Sequence, residues 1–209
     1  MRPQKFESND SSRPEFWDVR YAAGEIPWDF HGVPVALKAF LKASQAGSIL
    51  IPGCGTGYEV RAFHDSGWKV TAIDFSLVAV DRARSKLGPL ASRVVHGDFF
   101  THDFGSRRFD VIYERTFLCA LPPTSWPAYV NRMAELLRPE GKLVGIFFHG
   151  EQIDPPPYPL SPEKASELFR EKFSLIKDVP VSDSLPIFQD RERWQQWVHY
   201  AHIRKSRRG

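Results

Sequence analysis

Three glycines alternate with other residues directly after a short apolar run. Residues 48–52 read Ser-Ile-Leu-Ile-Pro, and Gly53, Gly55 and Gly57 follow. Because glycine has no Cβ atom, this sequence lets the backbone bend sharply and lets a ligand approach the main chain. Residues 58–66 have the pattern of a helix, so the glycines lie between a strand and a helix. The pattern predicts a turn that binds a nucleotide.

A second apolar run, residues 70–73, ends in Asp74, seventeen residues after Gly57. We predict that this run is the neighbouring parallel strand and that the carboxylate at its tip accepts hydrogen bonds from both hydroxyls of a ribose. Strand, turn, helix, strand and acid occur in order within one unit of about 30 residues, which strengthens a motif that is weak alone. Tyr58 occupies the position of the third glycine of a dinucleotide fingerprint. This spacing favours S-adenosyl-L-methionine over NAD.

The composition is that of an ordinary globular enzyme. The chain has 209 residues, of which 42% are hydrophobic and 25% charged, and this predicts one domain. No apolar run approaches the roughly 20 residues of a membrane span, and the polar N-terminus does not resemble a signal peptide, so we expect a cytoplasmic protein that does not bind membranes. Cys54 and Cys119 form no disulfide framework and no metal-ligand spacing. The net charge of +3 is weak evidence for a nucleic-acid partner.

Strand and helix patterns alternate from residue 48 onward, which predicts an α/β fold with a mostly parallel sheet and helices on both faces. The predicted strands lie near residues 48–52, 69–73, 92–96, 109–114, 142–148, 173–179 and 197–203.

Two of the predicted helices have clear apolar stripes. Ser76 is predicted to cap the first, whose inward residues would be Leu77, Val80, Ala83 and Leu87. The second spans residues 126–138, and its inward residues would be Tyr129, Met133, Leu136 and Leu137.

Residues 14–29 are dense in aromatic side chains, among them Trp17, Tyr21 and Trp28. Gly24 is a plausible C-cap for a short helix in this segment. Each ring alone is best explained by packing on the sheet, but as a group the rings predict a lid over a ligand.

In this order the motifs resemble the class I S-adenosylmethionine-dependent methyltransferases, and within them the thiopurine S-methyltransferases and the plant halide and thiol methyltransferases. The resemblance runs nearly end to end and is carried by residues 16–17, 27–29, 51–55, 73–76, 97–100, 109–115 and 155–158. It implies a Rossmann-like sheet of seven strands with an antiparallel last strand. It also implies a single methyltransferase domain over residues 1–209, with a lid segment and helix at 1–46 and the core at 47–205.

The resemblance also implies roles for single residues. Trp17, Tyr21 and Trp28 would cover the methyl donor, and Asp98 and Phe99 would flank its adenine. The other residues assigned to the cofactor are Gly53, Cys54, Gly55, Gly57, Asp74, Phe75 and Arg115. The product would be S-adenosyl-L-homocysteine, and no metal is expected.

The acceptor is predicted to be a small molecule, first of all a thiol. Methyl transfer to a thiolate depends mainly on alignment, and a guanidinium such as Arg115 would raise the thiolate fraction. Tyr21, Trp28 and Tyr158 would form the acceptor pocket. A hydroxyl or ring-nitrogen acceptor would need a base, for which His149 and Tyr158 are candidates. Halide methylation also stays open, and we expect a monomer or weak homodimer.

Two other functions are less favoured. Residues 154–158 read Asp-Pro-Pro-Pro-Tyr and resemble the amine-binding motif of adenine-N6 nucleic-acid methyltransferases, but the extra proline breaks the spacing and the motif follows the wrong strand. No basic groove with interleaved aromatics accompanies it, so no nucleic-acid partner is expected. A non-catalytic nucleotide-binding domain is the remaining alternative.

Overall fold

The computed structural model describes residues 10–150 and 155–200. Seven strands form one sheet: β1 Ser48–Pro52, β2 Lys69–Asp74, β3 Val94–His96, β4 Phe109–Arg115, β5 Leu137–Phe148, β6 Phe173–Pro180 and β7 Glu192–His199. Six α-helices accompany them: α1 Pro14–Ala23, α2 Val35–Ala43, α3 Tyr58–Asp65, α4 Leu77–Leu87, α5 Trp126–Leu136 and α6 Pro162–Phe169. No helix among these residues is long and apolar enough to cross a lipid bilayer.

The strand order is β3-β2-β1-β4-β5-β7-β6. Strands β1 to β5 pair in parallel, whereas β7 runs antiparallel to both of its neighbours. The predicted mostly parallel sheet with an antiparallel last strand is therefore confirmed. The chain leaves β1 towards β2 on one side and reaches β4 on the other, so a crevice opens between the carboxyl ends of β1 and β4, where ligands bind in such sheets.

Both faces of the sheet are covered, as predicted. Side chains alternate along β1, so that Ile49 and Ile51 pack on one face and Leu50 on the other. The first face meets α2, α3 and α4 through Leu37, Phe40, Val60, Phe63, Val80, Ala83 and Leu87. The opposite face meets α5 and α6 through Trp126, Tyr129, Val130, Met133, Ala165 and Phe169.

The predicted cap of α4 is confirmed, since the Ser76 hydroxyl accepts a hydrogen bond from the Ala79 amide at 3.1 Å. The inward stripe was wrong at Leu77, which is 48% exposed, while Ala79 is buried instead. At 3.6 residues per turn, Leu77 lies about 100° around the helix from the centre of the buried stripe.

Several strand boundaries differ from the predictions. Strand β7 begins at Glu192, because Trp194 and Trp197 anchor a strand whose other residues are mostly polar. The predicted end of this strand, at 201–203, lies outside the described residues. Helix α5 ends at Leu136, and β5 begins at Leu137, although its regular pairing with β4 resumes only at Lys142.

Candidate active site

A cavity of about 720 Å³ opens at the carboxyl ends of the central strands. Its volume lies within the range of about 300–1,000 Å³ that small-molecule sites occupy. The predicted site residues that line it are Trp17, Tyr21, Trp28, Gly53, Asp74, Phe75, Asp98 and Phe99. A smaller cavity of about 50 Å³ adjoins it and is lined by Cys54, Gly55 and Arg115 among others. Tyr21, Trp28 and Gly53 line both cavities.

The three glycines of the turn have three different neighbours. All adopt positive φ, at 58° for Gly53, 49° for Gly55 and 77° for Gly57. A Cβ atom on Gly53 would lie 2.6 Å from the Phe117 ring, and one on Gly55 would lie 2.7 Å from the Tyr21 hydroxyl. A Cβ on Gly57 would instead meet α4. Gly57 therefore packs α3 against α4 and lies outside the walls of both cavities.

Asp74 joins the glycine turn to the start of α4. One carboxylate oxygen accepts a hydrogen bond from the Gly55 amide at 2.9 Å, and the other accepts one from the Ser76 amide at 2.9 Å. Burial raises the pKa of Asp74 to about 6, against the opposing effect of these two hydrogen bonds. The carboxylate is thus charged at neutral pH, lines the cavity and keeps lone pairs for further donors.

Helix α1 and the loop after it bring the predicted aromatic residues to the cavity. Gly24 adopts the left-handed conformation and caps the helix, as predicted. The ring of Trp28 meets those of Trp17 and Tyr21 edge to face, with centroids 5.3 and 6.0 Å apart. These three rings therefore form one connected patch of the cavity wall.

Two aspartates, each directly after a tryptophan, connect this patch to the start of α4 and to the glycine turn. Asp18 accepts hydrogen bonds from the Ser76 hydroxyl at 2.6 Å and the Val78 amide at 3.2 Å. Asp29 accepts one from the Thr56 hydroxyl at 2.7 Å. The sequence analysis assigned no role to either residue, although the repeated Trp-Asp pair was a signal for both.

Asp98 and Phe99 follow β3 at the far end of the cavity. Asp98 is exposed and accepts a hydrogen bond from the Phe100 amide at 2.8 Å, which fixes the turn. Phe99 is buried, and its ring meets that of Phe117 edge to face at 5.4 Å. With Phe75, these residues bound the end of the cavity that lies beyond Asp74.

Glu114 orders the loop after β4, which carries Phe117 into the cavity wall. One of its carboxylate oxygens accepts hydrogen bonds from the amides of Phe117 and Leu118, and the other accepts one from the Tyr129 hydroxyl at 2.7 Å. Burial raises the pKa of Glu114 to about 7. Glu114 thus acts on the site through the backbone of this loop.

Arg115 is buried at the end of β4, where its side chain is 8% exposed. Its acidic partner is Glu192, with Nη1 and Oε1 3.6 Å apart, and not the adjacent Glu114. The guanidinium lies over the Phe30 ring at 4.9 Å from the centroid. Within the described residues, its Nη2 atom has no hydrogen-bond partner, and Arg115 lines the smaller cavity. A buried guanidinium in this state fits an anionic ligand group.

Tyr158 and His149 lie outside the walls of both cavities. The Tyr158 amide donates a hydrogen bond to the Cys119 carbonyl at 2.6 Å, and its hydroxyl lies 3.5 Å from the Ser11 hydroxyl. The Nδ1 atom of His149 lies 3.0 Å from the Leu160 carbonyl oxygen, and burial lowers the pKa of this histidine. Three prolines, 155–157, line the cavity instead.

The rest of the main cavity wall is mixed. Its apolar part includes Phe16, Phe117, Cys119, Leu121, Ile187 and Phe188, and its polar part includes Ser11, Ser12, Arg20, Glu25, Thr116 and Ser125. Burial raises the pKa of both Cys119 and Cys54, so that these thiols stay protonated and are poor nucleophiles at neutral pH. The nucleophile of a reaction in this cavity is therefore expected to come from another molecule. Among the described residues, no group of three or more His, Cys, Asp and Glu could hold a metal ion.

Comparison with known proteins places this geometry in context. A family model described as thiopurine S-methyltransferase matches residues 12–197. A probable thiol methyltransferase 2 of Arabidopsis thaliana is 36% identical over 153 residues, which are 69% of this chain and 67% of that protein. Thiocyanate methyltransferase 1 of Brassica oleracea is 31% identical over 68% of this chain and 66% of its own length. Thiopurine S-methyltransferase of Vibrio campbellii is 28% identical over 74% and 81%.

Solved structures share the fold. The 1,6-didemethyltoxoflavin-N1-methyltransferase of Burkholderia thailandensis, with bound 1,6-didemethyltoxoflavin and S-adenosylhomocysteine, superposes with a TM-score of 0.74. It is 20% identical over 90% of this chain and 87% of that structure. An enzyme structure concerned with conversion of a disulfide bond into a thioacetal group in echinomycin biosynthesis gives a TM-score of 0.70 at 22% identity, over 90% and 93%. At these identities the likeness shows the fold alone.

Proposed function

Because this chain belongs to the thiopurine S-methyltransferase family and is an S-adenosylmethionine-dependent methyltransferase, we propose that it methylates the thiol of a small organic molecule. The observation that carries the proposal is a pair of adjoining cavities that share Tyr21, Trp28 and Gly53 in their walls. They join a glycine turn and a buried carboxylate to an apolar wall, with the guanidinium of Arg115 beside them.

The residues of the first half fit the cofactor. A Cβ atom on Gly53 or Gly55 would clash with Phe117 or Tyr21, so glycine lets these two cavity-lining rings pack directly on the turn. Asp74 would accept the ribose hydroxyls, while Phe75, Asp98 and Phe99 would hold the adenine. When bound, S-adenosylmethionine supplies a methyl group on a positively charged sulfur.

The aromatic patch would serve as a lid over this half. Trp17, Tyr21 and Trp28 line the cavity from a segment whose Asp18 and Asp29 accept hydrogen bonds from the Ser76 and Thr56 hydroxyls. Rings held in this way exclude water, which strengthens the electrostatic effect of nearby charges.

The residues of the second half fit a thiol with an apolar body. Phe117, Cys119 and Phe188 line the main cavity and would contact that body. Arg115 lines the smaller adjoining cavity, from which it would favour the ionised sulfur. A hydroxyl or ring-nitrogen acceptor would need a base, and both sequence candidates, His149 and Tyr158, lie outside the cavity walls. Halide methylation receives less support, because a bare ion would contact few of the apolar side chains that line the main cavity.

We extend the proposal to the setting of the enzyme. The family relatives and the size of the cavity support a small-molecule acceptor rather than nucleic acid, and the formal charge of +3 offers little attraction to a polyanion. One domain, acting as a monomer or weak homodimer in the cytoplasm, is the simplest arrangement. Light scattering on the purified full chain tests the oligomeric state.

A methyl-transfer assay read by release of S-adenosylhomocysteine tests the proposed function. The panel should pair an acidic aromatic thiol with an alkyl thiol of similar size, and include a halide and aromatic hydroxyl compounds. We expect turnover of thiols only. In Arg115→Gln the loss should be larger for the alkyl thiol, because an acidic thiol is already ionised without help. Equal losses of turnover for the alkyl and the acidic thiol would show that Arg115 does not promote ionisation of the acceptor. Turnover of hydroxyl compounds alone would overturn the thiol assignment.

A further inference from the structure

Glu192 is a buried carboxylate with two sets of partners. It lies at the start of β7 opposite Phe148 and is 2% exposed. One oxygen, Oε2, accepts hydrogen bonds from the Ser184 hydroxyl at 2.7 Å and the Leu185 amide at 3.1 Å. The other, Oε1, faces Nη1 of Arg115 at 3.6 Å. A single side chain thus contacts both the loop between β6 and β7 and the end of β4.

The loop between β6 and β7, residues 181–191, reaches the apolar wall of the main cavity. It carries Ile187 and Phe188, which both line the cavity. Phe188 packs with Cys119 and Phe148, and its ring centroid lies 5.4 Å from that of Phe148. The hydrogen bonds to Glu192 come from the same loop, two and three residues before Ile187. Movement of residues 184–185 would therefore move this part of the wall.

Arg115 depends on Glu192 for its orientation. Its Nη1 atom faces Glu192 at 3.6 Å and its Nη2 atom has no hydrogen-bond partner among the described residues, so Glu192 is the charged partner that orients a guanidinium already lying over the Phe30 ring. Glu59 lines the same small cavity and is a second acid near Arg115. Without the charge of Glu192, the guanidinium would be free to turn towards Glu59, because an arginine cannot lose its proton in a protein.

We infer that Glu192 is a positioning residue that holds the Arg115 guanidinium and the Ile187–Phe188 wall in one fixed arrangement around the methyl acceptor. This inference rests on the proposed function. Glu192 touches neither cofactor nor acceptor and acts through these two neighbours. The two effects can be tested separately, because one carboxylate oxygen accepts the hydrogen bonds of the loop and the other pairs with the guanidinium.

The first test is Glu192→Gln, which keeps the size of the side chain and one oxygen for Ser184 and Leu185. We expect kcat for an alkyl thiol to fall at least tenfold, with less loss for an acidic aromatic thiol. The dissociation constant of S-adenosylhomocysteine should change less than twofold. The matched control is Glu171→Gln, which removes the same charge at an exposed site.

The second test is Ser184→Ala, which removes one loop hydrogen bond and leaves the ion pair. It should raise the acceptor KM about threefold to fivefold with little change in kcat. Ser182→Ala alters an exposed serine of the same loop and should change neither constant. Ser184→Ala also keeps the inference testable if Glu192→Gln does not fold.

A double-mutant cycle decides whether Glu192 acts through Arg115. In an Arg115→Gln background, Glu192→Gln should lower kcat less than threefold further. Equal losses in both backgrounds would overturn the inference. So would a gain in alkyl-thiol turnover in Glu192→Gln alone, because Glu192 would then only weaken the field of Arg115. Thiol turnover by the unaltered enzyme tests the proposed function separately, and the variant ratios test Glu192.

Discussion

The two proposed halves of the site are built differently. In the cofactor half, the expected ribose contacts come from one continuous unit, the glycine turn after β1 and Asp74 at the end of β2, while Asp98 and the aromatic patch add contacts from other segments. The acceptor half uses side chains from three separate loops, which follow β4, β5 and β6 and contribute Phe117, Pro157 and Phe188. The comparison indicates that the proposed ribose site is encoded locally, whereas the proposed acceptor wall is assembled from distant parts of the chain.

The largest effect is expected from Asp74→Asn. The amide loses the charge and can no longer accept from both the Gly55 and Ser76 amides. Cofactor affinity should fall about 100-fold, which is about 2–3 kcal/mol for lost hydrogen bonds to a charged group. Calorimetric titration with S-adenosylhomocysteine measures it, with Asp81→Asn on the exposed face of α4 as control. An unchanged affinity would remove Asp74 from the cofactor half.

Gly55→Ala should weaken cofactor binding at least tenfold. Its methyl group would lie 2.7 Å from the Tyr21 hydroxyl and displace the aromatic patch. Tyr21→Phe in the same chain removes that oxygen and should restore part of the affinity.

The control for Gly55→Ala is Gly105→Ala. Gly105 also has positive φ, at 64°, but a Cβ atom there meets nothing within 4 Å. It should cost about 1–2 kcal/mol of stability from backbone strain and leave binding unchanged. If Tyr21→Phe rescues nothing, the contact between the glycine turn and the patch does not govern binding.

Cofactor affinity should also fall on acidification. The pKa of Asp74 in the free protein is about 6, and ribose hydroxyls donating to the carboxylate favour its charged form. Binding therefore releases protons near pH 6, and affinity should drop up to about tenfold per pH unit below that value. Titrations from pH 7.5 to 5 measure this slope. A slope that persists in Asp74→Asn would assign it to another group.

Protonation of Asp74 affects the free energy of unfolding in the opposite direction from its effect on cofactor affinity. Because burial raises the pKa of Asp74 above its unfolded value, the free protein loses stability from this group as pH rises through about 4 to 6. Ligand binding and stability therefore respond to Asp74 in opposite directions.

The smallest effect is expected from Ile187→Ala, which tests the proposed acceptor half of the cavity. Ile187→Ala trims the acceptor wall at a partly buried residue. The acceptor KM should rise about threefold to tenfold, which corresponds to about 0.7–1.4 kcal/mol for lost apolar contact, while affinity for S-adenosylhomocysteine stays the same. Steady-state kinetics with saturating cofactor measures it. An equal loss of cofactor affinity would show that the two halves are not separate.

The same division explains how far the sequence could predict the molecule. The mostly parallel sheet, the glycine turn and the position of Asp74 followed from local patterns, because apolar periodicity and a missing Cβ act over a few residues. The antiparallel last strand followed from the family resemblance. The start of β7 did not follow from the sequence. The strand is held by two buried tryptophans, but its apolar pattern is interrupted by the polar residues Glu192, Gln195 and Gln196.

The acceptor half was the harder part to predict. Glu192 and Arg115 lie 77 positions apart in the sequence, and only the pairing of β5 with both β4 and β7 brings them together. Likewise, Asp18 and Asp29 gain their roles from partners on other elements. Tyr158 and His149 were candidates by residue type and are not among the residues that line the two cavities, although the Tyr158 hydroxyl lies 3.5 Å from that of Ser11, which lines the main cavity.

A crystal structure with S-adenosylhomocysteine tests the central claim most directly. The account predicts both ribose hydroxyls within about 2.5–3.0 Å of the Asp74 carboxylate oxygens, with the main chain of residues 53–55 against the ligand. A nucleoside bound elsewhere, with the crevice beside Asp74 filled by the rings of Tyr21 and Phe117, would contradict it.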